Sequence, residues 1–114
     1  MMFAPAKGDL QGVLMNETTL AYEWAGPGKV IFSFAQRGYA ISAHFSSDKK
    51  GLRHLKLAIN DFCAWVFKKY KWCRMIFAML KRPSVGRLIK KCEFNHFANK
   101  GDINIYVRLR PWVA

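Results

Sequence analysis

The chain has 114 residues, of which 52% are hydrophobic and 15% aromatic. A chain that apolar offsets its ordering entropy by burial, which excludes intrinsic disorder, and its length allows one domain, residues 1–114. Lys and Arg number 19 against 7 Asp and Glu, a formal net charge of +12, and a field of that sign attracts polyanions.

No apolar run is long enough for a membrane-spanning helix. The start, Met1-Met2-Phe3-Ala4-Pro5, lacks the basic head and apolar stretch of a secretory signal. Cys63, Cys73 and Cys92 are an odd set without CxxC spacing. They argue against a disulfide framework or a zinc site, and read as small core hydrophobes in a reducing, cytoplasmic setting.

In chain order, Leu10 to Leu14 is a short strand candidate, and Thr18 to Trp24 is a firmer one, β-branched and aromatic with alternation. Gly26-Pro27-Gly28-Lys29 signals a turn. Val30 to Ala35 and Tyr39 to Ser46 follow as strands around the tight turn Gln36-Arg37-Gly38, giving an antiparallel meander. The period then changes. From Lys49 to Tyr70, Leu52, Leu55, Ile59, Phe62, Cys63 and Val66 recur at three and four residues, which predicts one long helix. Ser46, Ser47 and Asp48 offer N-cap oxygens before it, and Trp65 and Phe67 widen its apolar face.

Trp72 to Leu80 is a nearly continuous apolar run, the pattern of a strand buried on both faces. Pro83 suits the first turn of a second helix, Ser84 to Cys92, with Val85, Leu88, Ile89 and Cys92 inward. Phe94 to Phe97 and Ile103 to Leu109 close the chain as strands around Asn99-Lys100-Gly101-Asp102. The last strand alternates: Ile103, Ile105, Val107 and Leu109 on one side, Asn104, Tyr106, Arg108 and Arg110 on the other. The order β-β-β-β-α-β-α-β-β implies an α/β protein, one mixed sheet with helices packed against it.

Positive charge is not spread evenly. Residues 1–47 carry Lys7, Lys29 and Arg37 against Asp9, Glu17 and Glu23, so the whole excess lies in residues 48–114. Lys49, Lys50, Arg53, Lys56, Lys68 and Lys69 fall mostly off the apolar stripe of the long helix and form the candidate surface for DNA or an acidic protein face. Helix-turn-helix spacing, an RNP-like aromatic strand and zinc-finger cysteines are all lacking, which argues against a dedicated nucleic-acid module.

The element order, together with Arg82-Pro83-Ser84-Val85-Gly86-Arg87-Leu88-Ile89-Lys90-Lys91-Cys92-Glu93-Phe94, resembles the GNAT superfamily of N-acetyltransferases. The superfamily's second helix commonly reads Asn-Pro-x-Ser-x-Arg-Leu-Tyr-x-Lys-x-Gly-Phe. Pro83, Arg87, Leu88, Lys91 and Phe94 agree with it. The resemblance implies a loop, before the long helix, whose amides hold the pyrophosphate of acetyl-CoA. That loop is Asp48-Lys49-Lys50-Gly51-Leu52-Arg53, so the cofactor-binding candidates are Lys49, Lys50, Gly51 and Arg53. Gly51 keeps the small residue; Asp48 places a carboxylate where phosphate would sit, and Arg53 a long side chain where close approach needs almost none.

The family's Tyr, general acid toward the departing thiolate, corresponds to Ile89, which has no proton to give. Its Gly before Phe is Glu93. Glu23, His44 and His54 are candidate bases, each with an ordinary structural role as the favoured alternative. No nucleophile–base pair or metal cluster is visible. The acceptor-binding helices that usually follow the first strand have no counterpart in the short segment before Thr18.

Lys49 to Phe94 also resembles small GNAT-like virion or head-assembly proteins of tailed phages. These resemblances imply a non-catalytic GNAT-fold protein without a cofactor, acting in the host cytoplasm or in a particle through DNA or a protein partner. The alternative is an acyl-CoA-dependent N-acetyltransferase with an atypical pyrophosphate loop, for which acetyl-CoA would be the cofactor.

Overall fold

The computed structural model describes residues 3–5, 19–80 and 83–111. Among the described residues, seven strands form one mixed sheet: β1 (Phe3–Pro5), β2 (Thr19–Trp24), β3 (Val30–Arg37), β4 (Ala40–Ser47), β5 (Met75–Leu80), β6 (Asn95–Lys100) and β7 (Ile103–Leu109). Their order across the sheet is β1-β2-β3-β4-β5-β7-β6. All neighbours are antiparallel except β4 and β5, whose parallel pairing requires a crossover. Helices α1 (Lys49–Arg53) and α2 (Leu55–Lys69) make that crossover, and α3 (Pro83–Lys90) connects β5 to β6. This is the mixed α/β arrangement that the element order predicts.

Side-chain alternation aims Tyr22, Phe32, Phe34, Ile41, Ala43, Ile76, Ala78 and Tyr106 at one face, since each stands opposite another of the set in the strand register. The helices close that face. Phe62 of α2 stacks on Phe32 with centroids 4.3 Å apart, and Leu55, Ala58, Ile59, Cys63 and Val66 are buried beside it. The predicted helical stripe therefore packs as expected from Leu55 onward. All three cysteines are free and buried in this core, and desolvation pushes the Cys63 thiol up to about 12.

Several sequence expectations are corrected. The helix from Lys49 to Tyr70 is two helices, broken at His54, whose backbone leaves the helical region (φ −112°, ψ 17°). The break turns Leu52 off the buried stripe, leaving it 55% exposed. β5 starts at Met75 rather than Trp72, and it alternates between buried and half-buried positions instead of being buried on both faces. The second helix ends at Lys90, and the strand after it is Asn95–Lys100.

In the last strand the row that carries the charged residues is the one that meets the helices. Tyr106 and Arg108 face the helices, while Leu109, from the apolar row, is largely exposed. Burial there follows the helix-covered face, and Arg108 meets it by hydrogen-bonding Asn60 Oδ1 at 3.0 Å and the Cys92 carbonyl at 3.1 Å. The strand candidate Leu10 to Leu14 lies outside the described residues. The first strand described, β1, carries Pro5 at the sheet edge, where a missing N–H is tolerated.

Glu93 stands where the resembled pattern has glycine, and its φ of +66° is the left-handed conformation that glycine favours after a helix. Glu93 instead gives its carboxylate to Arg108 at 3.0 Å, although the Glu93 side chain is itself 77% exposed. The departure is structural.

Candidate functional site

β4 and β5 pair from Ala40–Met75 to Ala43–Ala78 and then part. Each strand runs on, β4 to Ser47 along β3 and β5 to Leu80 along β7, so the sheet opens between them at their C-terminal ends. The opening is a cleft of about 380 Å³ lined by His44, Phe45, Ser46, Ser47, Leu52, Met79, Leu80 and Val85. Carboxyl ends of parallel strands where the sheet parts are where α/β folds seat ligands. Apolar side chains make most of its wall, with His44, Ser46 and Ser47 the polar groups. Of the three base candidates, only His44 lines this cleft. Glu23 lies on β2, and His54 caps the break between α1 and α2.

α1 begins at the rim of this cleft, directly after β4, and the Gly51 amide in its first turn is already taken from within. Asp48 is its N-cap: Gly51 N–H donates to Asp48 Oδ1 at 2.6 Å, and Lys29 N–H donates to the same oxygen at 3.0 Å. Those two amides, Lys29 first, hold the Asp48 carboxyl below its ordinary range. A carboxylate of the chain's own thus takes the amide that the family pattern offers to phosphate.

The glycine serves packing. A Cβ at Gly51 would come within 2.6 Å of the Lys29 carbonyl and 2.8 Å of Val30 Cγ2, while one at Gly28 would collide with the Gly51 amide nitrogen. The β2–β3 turn is pressed against α1 at two glycines. Sequence reading took Gly28 for turn chemistry alone and Gly51 for phosphate access; their shared role becomes visible only when the two backbones meet. Lys49, Lys50 and Arg53 are exposed, so any anion at this rim meets side-chain charge.

A depressed carboxyl pKa fixes the sign of a pH effect. The stability contributed by Asp48 is complete above the unfolded carboxylate value of about 4 and is lost as pH falls through the lower folded value. In urea titrations from pH 6 down to pH 2, the wild-type midpoint should therefore fall more steeply than that of Asp48→Asn, which keeps an acceptor but does not titrate. Parallel curves would show that the cap carries no charge-dependent stability.

Ile89, at the position of the family's acid, is 1% exposed and packed in the core beside Ile59, Cys63 and Phe94. It does not line the cleft. Arg82 lies outside the described residues. Among the described residues no group of His, Cys, Asp and Glu is placed to hold a metal ion.

The basic candidates separate. Lys56 and Lys68 are exposed on α2. The Lys69 ammonium instead sits over the rings of Trp65, Tyr22 and Tyr70, 5.0, 5.3 and 5.7 Å from their centroids, and so stabilises an aromatic cluster. Arg108 and Arg110 are spent on internal contacts as well.

No protein-family profile and no curated protein matches this sequence. Solved structures do match in shape. The N-acetyltransferase PseH of Campylobacter jejuni, in complex with acetyl coenzyme A, superposes with a TM-score of 0.68 at 10% identity, covering 84% of this chain and 71% of that one. A spermidine N-acetyltransferase SpeG chimera from Vibrio cholerae and hSSAT gives 0.67 at 10% identity, covering 82% and 68%. The ribosomal-protein-S5-alanine acetyltransferase of Vibrio fischeri gives 0.61 at 14% identity, covering 81% and 62%. The chain has the fold of the GNAT N-acetyltransferases. At these identities the likeness is one of fold, and function rests on the site.

Proposed function

We propose that the chain is a non-catalytic protein of GNAT fold that acts through its basic helical side on a polyanionic partner. The observation that carries this reading is the Asp48 carboxylate on the Gly51 amide at the rim of the cleft. A diphosphate there would face that carboxylate and lose the amide it needs, so the loop does not fit acetyl-CoA. Ile89, buried and without a proton to give, supports the same reading. A virion- or head-associated role of tailed-phage type, in the host cytoplasm or the particle, belongs to the proposal. Its support is the sequence likeness over Lys49 to Phe94.

One observation favours a second reading, an acyl-CoA-dependent N-acetyltransferase: the strands still part into a ligand-sized cleft with His44 on its wall. PseH, of the same fold, binds acetyl coenzyme A. Release of CoA thiol from acetyl-CoA in the presence of polyamine, aminoglycoside or peptide amines separates the two. The protein's own thiols are buried, so a thiol reagent reads released CoA under native conditions. Neither the wild type nor Ile89→Tyr should release CoA in an amine-dependent way. The variant should lose about 1–3 kcal/mol of stability, because the void of about 20 Å³ beside Ile89 does not hold a phenol ring. Amine-dependent release by either protein would replace the first reading with the second.

A further inference from the structure

We infer that the polyanion surface is a composite of α1, the start of α2 and the end of α3, and that it binds the phosphate backbone of duplex DNA without reading sequence. This rests on the non-catalytic reading above and names its partner. The charged residues are Lys49, Lys50, Arg53, Lys56, Lys90 and Lys91, all exposed.

Contacts in the structure bring the two basic runs together. Cys92 Sγ lies 3.8 Å from the Lys56 carbonyl, and Arg108 ties Asn60 of α2 to the Cys92 carbonyl just past α3. Lys90 and Lys91 therefore stand beside Lys56, although they lie far from it in sequence. The carboxylates on these helices and at their ends each have a partner within the fold, although Asp48 and Glu93 stay exposed. Asp48 accepts from Lys29 and Gly51, Asp61 accepts from Trp24 Nε1 at 2.8 Å, and Glu93 pairs with Arg108. Six exposed cations on this side thus outnumber the two exposed carboxylates, Asp48 and Glu93, both of which are engaged in contacts of their own.

The make-up of the surface favours nucleic acid over an acidic protein. Protein interfaces are depleted in Lys and depend on buried aromatic or Arg anchors. Here Lys supplies five of the six charges named, and the only largely exposed big apolar side chains on the described helices are Leu52 and Leu57. Binding to a phosphate backbone needs only such cations, each displacing a condensed counterion.

The test is fluorescence anisotropy of the full chain with two unrelated duplexes of about 20 base pairs over a range of salt. Both should bind alike, with a log–log salt slope of about −5 and roughly 10³-fold weaker binding at 200 mM than at 50 mM salt. Replacing both α3 residues, Lys90→Ala with Lys91→Ala, should weaken both duplexes equally and reduce the slope by about 2. Arg37→Ala, in the β3–β4 hairpin, should change neither. Circular dichroism confirms that each variant is folded. A slope unmoved by the α3 pair, or a preference for one sequence that persists in high salt, would overturn the inference. Tighter binding to polyglutamate of matched charge would do so too, assigning the surface to an acidic protein. Each of these failures leaves CoA release unaffected, so the non-catalytic reading is judged separately.

Discussion

Gly28→Ala lowers stability by roughly 2–4 kcal/mol, the larger part of it from contact rather than backbone preference. Gly28 has φ +78°, a conformation that costs an alanine about 1–2 kcal/mol. Its missing Cβ is also filled by the Gly51 nitrogen and the Lys50 carbonyl carbon, both backbone, which move only if α1 moves. Gly38 provides the comparison. Its φ is +64°, yet a Cβ there meets nothing within 4 Å, so Gly38→Ala isolates the conformational part. Urea denaturation should show a clearly lower midpoint for Gly28→Ala than for Gly38→Ala, with m unchanged. Equal midpoints would mean that the β2–β3 turn does not brace the loop at the cleft.

Arg110→Met should cost a similar amount, about 2–4 kcal/mol. The guanidinium closes the end of α2. Its Nε donates to the Cys73 carbonyl at 2.6 Å, and its Nη2 donates to the Phe67 and Tyr70 carbonyls at 2.9 and 2.8 Å. The Phe67 carbonyl is one that the end of α2 leaves without an intrahelical partner, and Tyr70 and Cys73 belong to the turn that follows. A hydrogen bond to a charged group contributes about 1.5–3 kcal/mol, and three on one side chain do not add fully. The plane also lies over Phe67, 5.0 Å from the ring centroid, so methionine keeps some packing and loses every donor. Arg110→Lys should recover little, because one ammonium does not reproduce the fork. Full recovery by lysine would show that charge near the helix terminus, not donor geometry, provides the stability.

The sheet and the stripe of α2 were legible because they rest on local periodicity. Val30 to Ala35, the reversal at Gly38 and the buried set from Leu55 to Val66 need no knowledge of what packs on them, although Gln36 and Arg37 extend β3 and the turn itself is Gly38-Tyr39. What depends on distant backbone was not legible. His54 looks like any helical residue, yet it ends α1. The two rows of the last strand were legible, but not which of them meets the helices: Asn60 and Cys92, far away in sequence, offer Arg108 its acceptors. At the site, the carboxylate at Asp48 was visible as a departure from the family pattern. Its partners, Lys29 and Gly51, depend on where the β2–β3 turn lies in space. The same limit explains Lys69, which reads as surface charge until Tyr22 of a distant strand completes the aromatic cluster beneath it.

Titration calorimetry with acetyl-CoA at low salt measures the central claim, that the loop before α1 is closed on itself. With Gly51 N–H held by Asp48, the expected result is no binding in the low micromolar range, and any weak heat should vanish as salt screens Lys49, Lys50 and Arg53. Binding at or below the low micromolar range that persists in screening salt would contradict it.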